Sequence, residues 1–255
     1  MVDLFCGAGG FGLGFKQAGY MIVWANDVDR WAVKTYRENI ARVAKLGKLQ
    51  HHVPNGIECD VLIGSPPCQD FSKSNVKTRR ENNELIELFL EWRDVLQPQF
   101  WVMEEVPPVE KHYPGGAVLD AAEFGVPQVR RRYFLSNFEM PQGNGERTTC
   151  AEALGRCEKP WWAERPSTTL QCDPRQQSPH HHDANVPGSQ MKGAVKLSAR
   201  DMATLMGFPR DFHFFGPLAA QYKQIGNAVC PPVARAIAER IKADADQSIS
   251  EVKST

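Results

Sequence analysis

The sequence has no excess of charge of either sign. Thirty lysine and arginine residues balance 30 aspartate and glutamate residues, so the formal net charge is zero. This balance excludes a histone-like or polybasic binder whose affinity comes mostly from counterion release. It leaves open the binding of nucleic acid through a local basic groove.

Long hydrophobic runs and regular cysteine patterns are also missing. No apolar run approaches the roughly 18 residues of a membrane span, and the start, MVDLFCGAGG, lacks the features of a signal peptide. The seven cysteines are irregularly spaced and contain no C-x-x-C pair, which disfavours a zinc ribbon. We therefore expect no membrane association, no metal site and a reducing, cytoplasmic setting.

Strand and helix signals alternate along the first hundred residues. With 255 residues, 42% of them hydrophobic, the chain can bury a full core. Strands are predicted at 2–5, 21–25, 60–64 and 100–103, and helices at 11–18, 29–46 and 81–96. This order predicts an α/β fold with a doubly wound, mostly parallel sheet.

The amino-acid composition changes after the first 137 residues. Proline, glycine, serine and glutamine become frequent over 138–196, which predicts a small irregular region. Helical signals return in a C-terminal segment at 197–255. There, Ser198 and Asp201 are spaced like a capping box, and Pro231 is expected to open the last helix.

A glycine-rich turn follows the first predicted strand, over residues 6–10. Such a turn lets the backbone approach a ligand closely at the edge of a sheet where nucleotides bind. Asp27 ends the next predicted strand, about 20 residues on, as a ribose-binding carboxylate does. The alternative role for Asp27 is the N-cap of the following helix.

A double-proline turn carries a cysteine directly after the strand at 60–64. Its residues are Ser65, Pro66, Pro67, Cys68 and Gln69. The two prolines fix the backbone and remove two donors, so the turn presents Cys68 at the same sheet edge as the glycine turn. This position suits a nucleophile better than a structural cysteine.

The motifs resemble, in order, those of the C5-cytosine DNA methyltransferase family. They read DLFCGAGG, NDVD, GSPPCQDFS, GVPQVRRR, MGFPRDF and QIGNAVCPP, from Val2 to about Ile241. The resemblance implies a Rossmann-like fold and methyl transfer from S-adenosylmethionine to C5 of a cytosine flipped out of double-stranded DNA. It further implies an irregular region that recognises the target, a monomer, and a cognate restriction endonuclease in the same cell.

The resemblance also implies roles for individual residues. Cys68 would attack C6, Glu104 would engage N3 and the exocyclic amine, and Arg130 and Arg132 would hold the base or a phosphate. Cofactor contacts are implied for Phe5, Cys6, Gly7, Ala8, Gly10, Asp27, Val28, Pro67, Leu85, Phe208, Asn227, Ala228 and Val229. Substrate contacts are implied for Gln69, Ser72, Lys73, Arg79, Arg80 and Gln128.

Two positions depart from the family pattern. Lys48 stands near the place of an acid that contacts adenine, and Glu105 replaces an asparagine. Because successive strand residues face opposite sides, we expect only Glu104 of the adjacent glutamates to reach the pocket. The stretch from Glu104 to Gln128 is also short. Two alternatives therefore remain, an RNA (tRNA) methyltransferase of the same fold and a non-catalytic DNA-binding member.

Overall fold

One mixed sheet organises the molecule. The computed structural model describes residues 1–67, 83–155, 165–170 and 197–254, with side chains described as far as 247. In this part of the chain, seven strands have the order β3-β2-β1-β4-β5-β7-β6. The strands are β1 Val2–Leu4, β2 Trp24–Asp27, β3 Ala44–Leu46, β4 Val61–Gly64, β5 Phe100–Glu105, β6 Ala117–Asp120 and β7 Arg131–Ser136. The α-helices are α1 Gly10–Gln17, α2 Arg30–Asn39, α3 Glu84–Leu96, α4 Cys150–Leu154, α5 Ala199–Leu205, α6 Leu218–Asn227 and α7 Pro231–Ser254.

The strand order confirms the predicted doubly wound sheet. Strands β1 to β5 pair in parallel, whereas β7 lies antiparallel between β5 and β6. The order reverses between β1 and β4, where one half of the sheet winds away from the other. In open α/β sheets, ligands bind in the crevice outside the carboxyl ends of the strands at such a point.

Alternate residues of the central strands fill two cores, one on each face of the sheet. In β4, Ile63 joins the larger core with Phe15 of α1, whereas Leu62 joins the smaller core with Phe89 of α3. All four residues are fully buried. This double burial explains why the central strands are continuous apolar runs in the sequence.

Two sequence predictions in this half of the fold are wrong in their boundaries. The helix predicted at 29–46 ends at Asn39, whose side-chain amide donates to the carbonyls of Thr35 and His213. The chain then turns and forms the edge strand β3 beside β2. The strand predicted at 21–25 is shifted to Trp24–Asp27, and Met21 is 76% exposed.

The second half of the fold contains the antiparallel pair β6 and β7. A Cβ atom at Gly116, just before β6, would lie 2.3 Å from the carbonyl oxygen of Phe134, so the close approach requires glycine. The predicted capping box of Ser198 and Asp201 is present at α5, and α7 begins at Pro231 as expected. No helix in the described part of the chain combines the length and apolar character of a membrane crossing.

Candidate active site

A large cavity opens at the carboxyl edge of the sheet, with a volume of about 1340 Å³ among the described residues. It lies where the strand order reverses, and the glycine turn, β5, β7 and the connection between α6 and α7 all contribute to its wall. Fifteen predicted site residues line it: Phe5, Cys6, Gly7, Ala8, Gly10, Asp27, Val28, Pro67, Leu85, Glu104, Arg130, Arg132, Asn227, Ala228 and Val229. The fold therefore brings residues from seven separate places in the sequence to one cavity.

The glycine turn is held in an unusual backbone conformation. Phe5 has a φ of 53°, which is costly for a residue with a side chain, and Gly7 follows with 52°. A Cβ atom at Gly10 would lie 2.1 Å from the carbonyl oxygen of Val229. The turn is thus packed directly against the C-terminal segment, which closes this side of the cavity.

Asp27 supports the turn from the end of β2. Its Oδ2 accepts a hydrogen bond from the backbone N–H of Gly7 at 2.9 Å, and its Oδ1 accepts one from Asp29 at 2.7 Å. Burial raises the pKa of Asp27, while these two hydrogen bonds act in the opposite direction. The N-cap of α2 is Asp29, which accepts from Trp31 and Ala32, so the alternative role of Asp27 as a cap is wrong.

Glu104 forms an ion pair with Arg132 inside the cavity. The distance between Oε1 and Nε is 3.0 Å, and Glu104 is buried. The expectation that only Glu104 reaches the cavity is wrong, because Glu105 lines it as well. Glu105 is the last residue of β5, where the chain turns, and its Oε2 accepts from the N–H of Val106 at 2.8 Å.

Arg130 is buried and binds backbone carbonyls of the C-terminal segment. Its Nη2 donates to Gly226 at 2.8 Å and to Ala228 at 3.1 Å, the two neighbours of Asn227. Its Nη1 lies 3.4 Å from the carbonyl oxygen of Leu170. Although Arg130 lines the cavity, this guanidinium positions the C-terminal end of α6 around Asn227.

Two predicted contact residues lie behind the described cavity wall. Gln128 is fully buried; its Nε2 donates to the carbonyl of Leu205, and its Oε1 accepts from the N–H of Leu170. Phe208 packs with Phe212 and Phe214 in an aromatic cluster. In the described structure, both residues therefore pack against or bind other parts of the protein.

Several lining residues were missed by sequence reasoning. Asp3 is a buried acid within β1, and an acid inside an apolar run is a signal that could have revealed it. Lys223 of α6 lies 3.3 Å from Asp29 at the cavity wall. Against the effect of burial, the cap hydrogen bonds of Asp29 and then this pairing lower its pKa. No sequence pattern connects residues so far apart.

A family model for C-5 cytosine-specific DNA methylase matches residues 1–117 and 155–243. The chain belongs to the C-5 cytosine-specific DNA methylase family. This confirms the predicted family, the Rossmann-like fold and the DNA cytosine-5 methyltransferase activity predicted with them. The match favours the DNA methylase over the RNA and non-catalytic alternatives.

Curated relatives of this methylase cover nearly the whole chain. It is 28% identical to the type II methyltransferase M1.HphI of Haemophilus parahaemolyticus, over 94% of this chain and 86% of the relative. The identity to the type II methyltransferase M.NlaX of Neisseria lactamica is also 28%, over 95% and 96% of the two chains. Among solved structures, the S. pombe Dnmt2 methyltransferase shares the fold, with a TM-score of 0.70 at 17% identity over 96% of this chain and 98% of that one.

Some predicted residues of the methylase lie outside the described residues. They include the predicted nucleophile, Cys68, and five substrate contacts: Gln69, Ser72, Lys73, Arg79 and Arg80. Pro67, the neighbour of Cys68, does line the cavity. The same limit applies to most of the region at 138–196, whose predicted role in target recognition stays a prediction.

Proposed function

We propose that this DNA methylase takes its methyl group from S-adenosylmethionine and transfers it through a covalent adduct between Cys68 and the cytosine. One observation carries the proposal. A single cavity contains the strained glycine turn, the carboxylate of Asp27 and the ion pair of Glu104 with Arg132, and it extends to Pro67, next to Cys68. Cofactor and base could therefore lie side by side in it.

The described residues fit the cofactor. Two apolar side chains of the wall, Val28 and Leu85, are 62% and 37% exposed, as is expected for residues that a purine ring would cover. Asp27 offers carboxylate oxygens to ribose hydroxyls, and Phe5 offers a ring for stacking. When bound, S-adenosylmethionine supplies an electrophilic methyl group.

In the proposed mechanism, the residues of the chain activate a weak carbon nucleophile. The Cys68 thiolate forms a bond to C6 of the cytosine, and the electron pair of the C5–C6 double bond moves to C5, which takes the methyl group. Glu104 donates a proton to N3, which draws electron density from the ring and helps the attack. A base then removes the C5 proton, the electrons of that C–H bond re-form the C5–C6 double bond, and the bond between C6 and the sulfur of Cys68 breaks with its electron pair left on the thiolate.

The two arginines have different parts in this proposal. Arg132 holds the carboxyl group of Glu104 in one orientation through a charge-assisted contact. The cytosine ring therefore meets a Glu104 side chain that is already oriented. Arg130 fixes the carbonyls on both sides of Asn227 and so shapes the wall beside the cofactor. Both arginines line the cavity, where their positive charge would stabilise a nearby thiolate.

The biological setting follows from the relatives. They are type II methyltransferases, so we propose that this chain protects DNA against a cognate restriction endonuclease. Residues 138–196 would form the target-recognition region. In the sequence, this region lies between the catalytic and cofactor-binding domain at 1–137 and the C-terminal segment at 197–255. The enzyme would act as a monomer in the cytoplasm.

Trapping of the adduct tests the proposed chemistry. DNA that contains 5-fluorocytosine should form a denaturant-stable adduct with the parent protein when S-adenosylmethionine is present, because fluorine cannot leave as a proton does. The Cys68→Ala variant should form none and should bind the cofactor within about tenfold of the parent. The matched control, Cys59→Ala, should form the adduct normally. An adduct with Cys68→Ala would show that another residue is the nucleophile.

A further inference from the structure

Asp3 is a buried acid in the wall of the proposed cofactor cavity. It is 1% exposed and lies in the middle of β1, between Val2 and Leu4. Its Oδ2 accepts a hydrogen bond from the hydroxyl of Tyr36 at 2.9 Å. A Cβ atom at Gly12 would lie 2.6 Å from this same Oδ2, so α1 approaches the acid as closely as glycine allows.

The second oxygen of Asp3 has no protein partner in the part of the chain that the structure describes. Oδ1 is buried and has no hydrogen-bond partner among the described residues, although Asp3 lines the cavity together with Cys6 and Gly10. An unsatisfied buried carboxyl oxygen is costly, and proteins keep such groups where a ligand completes them. The geometry therefore leaves one oxygen of the Asp3 carboxyl group available to a ligand in the cavity.

Burial, more than any neighbouring charge, disfavours the ionised form of Asp3. Burial, together with the nearby carboxylate of Asp27, raises the pKa of Asp3 to about 8, against the hydrogen bond from Tyr36. The pKa values of Cys6 and Tyr36 are raised well above their usual ranges, so neither carries charge near neutrality. Lys223, a cation at the cavity wall, is paired with Asp29 and lowers the pKa of Asp27.

We propose that Asp3 is the residue with which the cavity recognises the positive charge of its methyl donor, by ionising when the donor binds. In the free protein the carboxyl is neutral. As the cation enters, the O–H bond of the Asp3 carboxyl breaks, the proton passes to solvent, and the electron pair stays on the carboxylate. This inference rests on the proposed cofactor and adds to it a source of selectivity for cationic ligands.

Among the ligands considered, only one that carries positive charge favours the ionisation of Asp3. A cation within a few ångströms stabilises a carboxylate strongly in a site that excludes water. The neutral analogue 5′-methylthioadenosine has the same adenosine part but neither the sulfonium nor the ammonium group. Asp3 should therefore distinguish the two ligands, whereas Asp27, which faces the ribose in the proposed function, should treat them alike.

Calorimetry in buffers of different ionisation enthalpy measures the released protons directly. We would titrate the whole protein at pH 6.5, where nearly all Asp3 is protonated, with S-adenosylmethionine and with 5′-methylthioadenosine. The parent should release close to one proton per bound S-adenosylmethionine and almost none with the neutral analogue. Asp3→Asn has the shape of the neutral acid and can still accept from Tyr36, so it should fold. It should release no proton, bind S-adenosylmethionine about tenfold more weakly and bind the analogue as the parent does.

The control variant Asp27→Asn separates Asp3 from its charged neighbour. It should weaken both ligands by the same factor and still release the proton with S-adenosylmethionine. Binding of S-adenosylmethionine to the parent without proton release would overturn the proposal, and so would release that is lost in Asp27→Asn but kept in Asp3→Asn. Failure of both ligands to bind the parent would instead contradict the proposed cofactor. If Asp3→Asn does not fold, the parent and Asp27→Asn with the two ligands decide the question.

Discussion

Arg132 and Glu104 form an ion pair between the antiparallel strands β7 and β5, with 3.0 Å between Nε and Oε1. The pair is possible because the last strand of the parallel series is joined by a strand of opposite direction. The carboxyl end of β5 and the start of β7 then lie side by side. Residues 28 positions apart in the sequence thereby share one wall of the cavity.

The first prediction compares Glu104 with its neighbour. Glu104→Gln should lower the single-turnover methylation rate by at least about a hundredfold, which is in the range for a positioned acid. Glu105→Asn should keep or improve the rate, because an asparagine oxygen can accept from Val106 as the carboxylate of Glu105 does. If Glu105→Asn were the slower variant, the roles of the two glutamates would have to be exchanged.

The second prediction concerns the buried guanidinium of Arg130. Arg130→Lys should lower the free energy of unfolding by about 2 kcal/mol or more, because one ammonium cannot reach the carbonyls of Gly226, Ala228 and Leu170 together. S-adenosylmethionine should also bind more weakly, since the end of α6 around Asn227 loses its anchor. Denaturant unfolding and calorimetry would measure the two effects.

The matched control for Arg130 is its neighbour, Arg131. The side chain of Arg131 is exposed, so Arg131→Lys should change stability by less than about 0.5 kcal/mol and leave cofactor affinity unchanged. Equal effects of the two substitutions would contradict the anchoring role of Arg130.

The third prediction tests the carboxylate at the end of β2. Asp27→Ala should weaken S-adenosylmethionine binding at least about tenfold, because charge-assisted hydrogen bonds to the ribose and the support of Gly7 are both lost. The control, Asp29→Asn, keeps an N-cap for α2 and should change the affinity much less. Calorimetric affinities in the reverse order would place the ribose at Asp29.

The central part of the fold was predictable because burial on both faces of the sheet leaves long apolar runs. These runs locate the strands β1, β4 and β5. The glycine turn and the double-proline turn are marked by their own residue types, directly after two of these strands. Pro67 and Asp27 were correctly expected at one sheet edge, since parallel strands end together.

The edge of the sheet could not be predicted in the same way. Strand β3 has three residues, of which Lys45 and Leu46 are exposed, so no apolar pattern marks it. The contacts of Arg130 with Gly226 and Ala228 join residues nearly a hundred positions apart. Such contacts depend on the packing of the whole chain, and only the resemblance indicated that these segments meet.

The last prediction follows from the protonation of Asp3 in the folded protein. Its pKa is raised by burial to about 8, whereas an unfolded chain has the ordinary aspartate value of about 4. Between these values the folded state holds more protons than the unfolded state, so stability falls as the pH rises through this window and levels off above pH 8. The slope from this one group is at most about 1.4 kcal/mol per pH unit. Asp3→Asn cannot titrate, so it should gain stability relative to the parent between pH 5 and pH 8, as measured by urea unfolding of both proteins without cofactor. A difference that stays constant over this range would mean that Asp3 is already ionised in the folded protein.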